Sequence, residues 1–363
     1  MRVGLIIYGS LDTLSGGYLY DRRLVECLER AGDHVEIISL PWRNYARHLT
    51  DNWSRRFRQS LASADVDVML QDELNHPSLF HVNRAVQGRW PIVSVVHHLR
   101  SSEKRAAWKN RAYGMIERRY LRSVDGFVFN SETTRDVVHA QVGSDRPHVV
   151  AVPAGNRFDS RVTEQDVTER ANADGPLRIL FLGNVIERKQ LHVVLDALTR
   201  MGSAAWRLDV VGGLDVEPGY ATRMRRKAQQ PELGGGVTFH GPVSDAALRD
   251  HLAAAHVLAV PSSYEGFGIV YLEGMAFGLP AIATDSGAAH EIVTDGSDGF
   301  LIPTGSAAEL TLRLRDLATD RSRLAEMGAA ALRRFARHPT WEQSMTAARA
   351  FLLRMVERAH ARA

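Results

Sequence analysis

The sequence predicts an α/β protein built from two doubly wound domains. Three observations carry that expectation. A chain of 363 residues exceeds one ordinary core, and length alone favours two domains of about 150–180 residues. Short runs rich in Val and Ile alternate with helical patterns, which implies parallel strands joined by right-handed crossovers. The rhythm then breaks at a polar stretch, residues 156–176, and restarts.

In the first half RVGLIIY, HVEIISL, DVDVML, PIVSVVHH, DGFVFN and HVVAVPAG read as strands. Between them YLYDRRLVECLERAG, the segment 42–62, HVNRAVQG, the segment 103–122 and SETTRDVVHAQ read as helices. The polar break ends in Gly-Pro, so the expected organisation is an N-terminal domain at 1–160, a linker at 161–176 and a second domain at 177–340. In that second domain LRILFLG, WRLDVVGG, GVTFHG, HVLAVP and PAIAT read as strands, with helices after Lys189, Pro218, Ser244, Phe267 and Ala288. The final segment, 341–363, reads as a long amphipathic helix beginning near Trp341. Two such domains facing each other are expected to bind ligand in the cleft outside the carboxyl ends of their strands.

A hydrophobic content of 45% with 24% charged residues is that of a soluble globular protein. No apolar run approaches the roughly 20 residues of a membrane span, and MRVGLIIYGS lacks the pattern of a signal peptide. The one cysteine, Cys27, lies in a helical pattern. A disulfide framework is therefore ruled out, a cytoplasmic setting is expected, and Cys27 reads as a buried inert thiol. The net charge of +3 is uneven, with fifteen Arg and Lys against seven Asp and Glu between residues 40 and 122. Trp42, Tyr45, Trp53, Trp108 and Tyr113 are interleaved with these bases. The region suits an anionic or lipid-linked acceptor, a peripheral membrane contact, or plain solvated helix faces. Nucleic acid is not expected as a partner, because no recognised binding module is present.

The chemistry concentrates in PSSYEGFGIVYLEGMAFGLP, residues 261–280. Gly266 and Gly268 let a ligand approach the backbone where a helix start leaves N–H donors unpaired. Glu265 precedes that helix and Glu273 lies within it. A carboxylate accepts from two neighbouring hydroxyls at once, so the two acids suit a sugar and a ribose with a diphosphate between them. Arg188 and Lys189, in FLGNVIERKQ, stand where cations could neutralise a departing phosphate.

Taken together, FLGNVIERKQ, FHGPVSDAAL, VPSSYEGFGIVYLEGMAFGLPAIAT and SGAAHEIVTDGSDGFLIP resemble the retaining GT-B glycosyltransferases of family four, the glycosyl transferase group 1 family. The likeness covers most of the chain and is strongest from Leu177 to Pro303. It implies two Rossmann-like domains and transfer of a hexose from a UDP- or GDP-linked sugar. The implied acceptor is a glycan, a lipid-linked species or a small molecule, with no cofactor and no metal. By the same resemblance Glu265 holds the transferred sugar and Glu273 the donor ribose. Gly183 and Asn184, together with backbone groups at Gly266, Phe267, Gly268 and Ile269, border the diphosphate or sugar. Lys189 faces the phosphates and Val243 the base. Gly16 and Gly17 cover the diphosphate or leave room for the acceptor. His97, with His98 as the fallback, sits near the reacting sugar, and the final helix crosses back onto the first domain.

The chain departs from the family pattern at Asn184, where an arginine is usual, at Gln190, where glycine follows the lysine, and at Ala288 beside Gly287. Arg188 and Lys189 are therefore expected to share the phosphate neutralisation. No covalent nucleophile is evident for the retained stereochemistry, and the leaving phosphate itself is the candidate acceptor of the acceptor's proton. Asp65-Val-Asp67 has the spelling of a metal-binding pair but reads better as a strand edge. A sugar phosphorylase, a nucleotide-sugar epimerase and a non-catalytic nucleotide-sugar-binding protein share the frame. A dinucleotide oxidoreductase does not, since neither YGSLDTLSGG nor LGNVIERK spells the glycine fingerprint.

Overall fold

The computed structural model describes residues 1–361 apart from Leu14, Lys104, Ser203 and Ala204. The chain divides into two compact units, Met1–Pro153 with Pro339–Ala363, and Ala154–His338.

The first unit is a six-stranded parallel sheet of β1 (Arg2–Tyr8), β2 (His34–Leu40), β3 (Val68–Asp72), β4 (Ile92–Val96), β5 (Gly126–Phe129) and β6 (His148–Val150). Their order is β2-β1-β3-β4-β5-β6. Helices α1 (Gly16–Arg30), α2 (Tyr45–Leu49), α3 (Arg55–Ala62), α4 (His76–Leu79), α5 (Val82–Val86), α6 (Ala107–Leu121) and α7 (Glu132–Val142) connect them. Every residue of β3 and β4 is buried, as expected of central parallel strands covered on both faces.

The second unit is again six parallel strands: β7 (Leu177–Leu182), β8 (Trp206–Val211), β9 (Val237–Gly241), β10 (Val257–Ala259), β11 (Ala281–Thr284) and β12 (Gly299–Ile302). Their order is β12-β11-β10-β7-β8-β9, the 3-2-1-4-5-6 arrangement of a dinucleotide-type fold. Its helices are α8 (Glu164–Asn172), α9 (Leu191–Leu198), α10 (Pro218–Ala228), α11 (Asp245–Ala254), α12 (Ile269–Met275), α13 (Ala307–Thr319) and α14 (Arg321–Arg337). The last helix, α15 (Trp341–His360), belongs to the first unit and packs on α1 and β6. A Thr340–Gln343 capping box starts it, and Trp341, Met345, Ala348, Leu352 and Met355 form its buried stripe. Gly126 makes room for that stripe, because a Cβ there would meet Met355 and Phe351 at 3.1 Å.

Several sequence expectations need correction. The segment 42–62 is not one helix, because two caps restart it. Asn44 accepts from the Arg47 N–H and Ser54 from the Phe57 N–H, giving α2 and α3 with a 3-10 turn at Thr50–Trp53 between them. The stretch read as a linker, 161–176, carries α8, started by a Thr163–Asp166 capping box. Val167 of α8 packs so closely on Gly278 and Gly328 that a Cβ at either would approach it within 2.6 Å. Polar composition hid that helix because only Val167 and Ala171 face inward. After Ala288 there is a 3-10 turn, Ala288–Glu291, and no α-helix. The sequence reading also passed over α4, β12, α13 and α14.

Candidate functional site

In a doubly wound sheet the ligand crevice lies outside the carboxyl ends of the two strands where the order reverses. In the second unit those strands are β7 and β10. The chain leaving β7 turns at Gly183, whose φ of 135° favours glycine, and enters a 3-10 turn at Glu187–Lys189. Gln190 follows with φ 55°, the one positive-φ non-glycine residue among those described. A side chain in that conformation costs on the order of 1–2 kcal/mol, which is a physical reason for glycine to be usual there.

The chain leaving β10 brings Glu265 to this turn. Lys189 Nζ donates to Glu265 Oε1, and Arg188 Nη1 lies 3.5 Å from Oε2. Ser262 Oγ donates to Oε1 at 2.6 Å, and Arg188 also donates to the Tyr264 carbonyl at 2.7 Å. The Glu265 backbone is fixed from behind: its carbonyl accepts from the Ala288 N–H at 2.9 Å, and a Cβ on Gly287 would fall 2.1 Å from that oxygen. Burial opposes ionisation of Glu265, but Lys189, Arg188 and Ser262 outweigh it and hold the carboxyl at about 2. Burial lowers the Lys189 ammonium, and Glu265 counters that effect. Two cations thus share one buried carboxylate, leaving an excess positive charge that suits an anionic ligand.

Asn184 has a structural task, since its Oδ1 accepts from the Gly213 N–H at 3.2 Å and ties the ends of β7 and β8 together. Gly268 ends the 261–268 loop at φ 102°, where any Cβ would strike the Tyr271 ring at 2.5 Å. Helix α12 has only seven residues, so local N–H groups around Gly268 and Ile269, not a long-helix dipole, are what it offers. Phe267 is buried with its ring 5.8 Å from His338, and Val243 is half-buried in the turn between β9 and α11. Glu273, 4% exposed, lies 3.6 Å from Arg157 Nη1. Burial pushes its carboxyl up to about 7, with Arg157 restraining the shift.

In the first unit Gly16 and Gly17 open α1 behind the Ser15 cap. Gly17 leaves space for His97: a Cβ there would be 3.2 Å from His97 Cδ2. His97 follows β4, and its Nε2 lies 3.3 Å from Asp21 Oδ1, with the Tyr20 ring 5.2 Å away edge-on. Burial would neutralise the imidazole, but Asp21, helped by Asp72 and Glu73, raises it to about 9. His97 at neutral pH is then an imidazolium, a donor and fixed cation, not a base. Its contribution to stability is complete below 6.5 and disappears as pH rises through about 9. Asp21→Asn is expected to drop the His97 titration below 6.5, read by NMR of the ring C–H; an unchanged titration overturns the pairing. His98 is engaged with Glu103 at 3.1 Å. Asp65 and Asp67 both pair with Arg2 at the start of β1, a structural use. Cys27 is buried in α1.

The structure therefore brings Arg188, Lys189 and Glu265 together and places Glu273 on α12 beside Arg157. Four contributors escaped the sequence reading: Ser262, Arg157, Asp21 and Asp72. Ser262 stood inside the quoted motif three residues before Glu265. Asp21 stood one helical turn after Gly17, and it is fully buried, a position an acid seldom takes without a partner such as His97.

Residues 162–334 match the family model of glycosyl transferases group 1, and residues 20–155 match that of the glycosyl transferase 4-like domain. The chain is 28% identical over 363 residues to the phosphatidyl-myo-inositol mannosyltransferase of Mycobacterium leprae, covering 92% of this chain and 93% of that one. It is 31% identical over 245 residues to the D-inositol 3-phosphate glycosyltransferase of Xylanimonas cellulosilytica, covering 64% and 57% respectively. Among solved structures, sucrose-phosphate synthase from Thermosynechococcus elongatus superposes with a TM-score of 0.81 at 21% identity over 99% of both chains. Anabaena HepE in complex with UDP and glucose superposes with a TM-score of 0.75 at 17% identity, over 97% of this chain and 99% of that one. Both share the GT-B fold. Among the described residues no helix is long and apolar enough to cross a membrane.

Proposed function

This chain belongs to the group 1 glycosyltransferases, and we propose that it moves a hexosyl unit, with retention, from a UDP- or GDP-linked sugar to an inositol phosphate acceptor, free or lipid-linked. The observation that carries the reading is the buried Lys189–Glu265 pair with Arg188 at 3.5 Å at the strand-order reversal. Breaking the anomeric bond leaves negative charge on a nucleoside diphosphate. Lys189 and Arg188 stabilise that charge where it develops, and Glu265 orients the sugar hydroxyls. Glu273 accepts from the donor ribose. Backbone N–H groups around Gly266 to Ile269 face the diphosphate, with Gly183 bordering it and Val243 the base. His97 donates to the sugar as an imidazolium, and Gly16 and Gly17 keep the space before it open. The inositol-bearing acceptor rests on the activities named for the two relatives above.

The proposed reaction needs no metal, because the two cations supply the charge a metal would. Asp21, Asp72 and His97 stand close to one another, and an ion there would have to displace the proton that Asp21 helps His97 to hold. Turnover is expected to be unchanged by EDTA within about twofold; a tenfold loss restored by a divalent cation overturns this. A thermal-shift panel of nucleotides and nucleotide sugars identifies the donor, and the bound nucleotide sugar is expected to raise Tm by several degrees. No shift with any UDP- or GDP-sugar would sink the proposal.

A further inference from the structure

The first sheet reverses its strand order between β1 and β3, and a cavity of about 520 Å³ opens at their carboxyl ends. Tyr8 ends β1, Leu74, His76 and Pro77 follow β3, and Arg100 follows β4. Trp42, Arg43, Asn44, Tyr45 and His48 close the cavity from the β2–α2 side. Asp72, the last residue of β3, belongs to the His97 cluster, so a single residue of chain, Glu73, separates that cluster from the cavity wall at Leu74.

The wall is strongly aromatic. The Trp42 ring lies 5.3 Å from Tyr8 while remaining 63% exposed, an arrangement suited to a platform for a ring with apolar C–H faces. Tyr45 packs edge-on against Tyr113 at 4.7 Å, and Arg100 sits over both, 5.3 Å and 4.9 Å from their centroids.

The charges are unevenly satisfied. Arg43 is spent on Asp51 at 2.7 Å. Burial lowers His48 and takes His76 down to about 4, so both are neutral. Tyr45 lies 2.9 Å from His76 Nε2 and fills that position. Arg100 is different. Among the described residues its guanidinium has neither a hydrogen-bond nor an ion-pair partner, and its Nε is buried without one. His48 Nδ1 is also buried without a hydrogen bond, 3.8 Å from Asp51 Oδ2. A buried donor left unmet costs about 1–3 kcal/mol, a cost that an oxyanion in the cavity removes.

We infer that this cavity takes the acceptor as a cyclic polyol carrying a phosphate, with Arg100 holding the phosphate and Trp42 carrying the ring. The inference rests on the transferase reading above and adds to it where selection occurs and by which residues. The shared chemistry, a phosphate ester on a ring polyol, is available from a soluble monoester or from a lipid headgroup.

Isothermal titration of the full chain tests it with D-inositol 3-phosphate, uncharged inositol, inorganic phosphate and phosphatidylcholine vesicles with and without phosphatidylinositol. The inositol phosphate or the vesicles with phosphatidylinositol are expected to bind saturably, with inositol and phosphate each at least tenfold weaker. Arg100→Ala should weaken the ring phosphate at least tenfold, and Arg100→Lys should recover part of that loss. Arg100 packs on two tyrosines, so Trp42→Ala, at an exposed position, provides an independent variant expected to weaken the ring phosphate but not inorganic phosphate. Saturable binding to either source supports the inference and shows which one is used. Equal affinity for uncharged inositol, no effect of Arg100→Ala and Trp42→Ala in folded protein, or binding to neither source overturns it. If nucleotide sugar still binds and is lost in Glu273→Ala, the transferase reading stands while the cavity assignment falls. If nucleotide sugar does not bind at all, the failure lies in that earlier reading.

Discussion

Lys189→Ala is expected to lower kcat/KM for sugar transfer by about a thousandfold, or about 4 kcal/mol of transition-state stabilisation. The ammonium is 12% exposed and held against Glu265, so its charge acts in a medium with little water to screen it. Arg188 cannot replace it, since one nitrogen is engaged with the Tyr264 carbonyl and it lies farther from the carboxylate. Lys189→Arg should retain part of the rate. The Ala variant also isolates a buried carboxylate, with an expected stability loss of about 3 kcal/mol at neutral pH. Glu265 has its folded value depressed to about 2. Its stabilisation is present above the ordinary 4.5 and is lost as pH falls toward 2, so the gap between wild type and variant should narrow in acid. Steady-state kinetics at saturating donor, with denaturation across pH, decide the matter. Turnover within tenfold of wild type would remove Lys189 from the chemistry.

The parts of this molecule that were legible in its sequence are those where local pattern and global fold demand the same residues. Strands β3, β4, β7 and β10 are buried on both faces, so their Val- and Leu-rich runs announced them. The 261–280 stretch was legible because Gly268 and Glu265 each answer to a specific requirement, a φ of 102° and a cation pair. What escaped depends on contacts distant in sequence. Arg157 meets Glu273 across 116 positions, and Asp21 meets His97 across 76. Helix α8 reads as polar because its buried side rests on two glycines, Gly278 and Gly328, and needs little apolar area. Asn184 could be seen as a departure from the family pattern, but its bond to the Gly213 amide exists only once β7 and β8 are paired.

Glu273→Gln should make the protein more stable and a poorer binder of its donor. The carboxyl is buried on α12 and titrates near 7, above its ordinary 4.5. Between those values the folded chain keeps a proton that the unfolded chain has released, so wild-type stability falls as pH rises through this window. The cost is absent below 4.5 and complete above 7, where it amounts to about 3 kcal/mol. Gln at this position carries no such cost, and Arg157 retains Asp245 as a partner. The variant should therefore match wild type near pH 4.5 and exceed it by about 3 kcal/mol at pH 8. In exchange it loses a charged acceptor for the ribose hydroxyls, worth roughly 1.5–3 kcal/mol, or about ten- to a hundredfold in donor affinity. The two effects have one origin: the site keeps an acid where ionisation is unfavourable until a diol arrives to accept from. Wild type should then release a proton on binding donor at pH 6, seen as a buffer-dependent heat, whereas the Gln variant releases none from this site. Stability curves of the two proteins that run parallel from pH 4.5 to 8 would show that Glu273 does not titrate there, and the explanation of both effects would fail together.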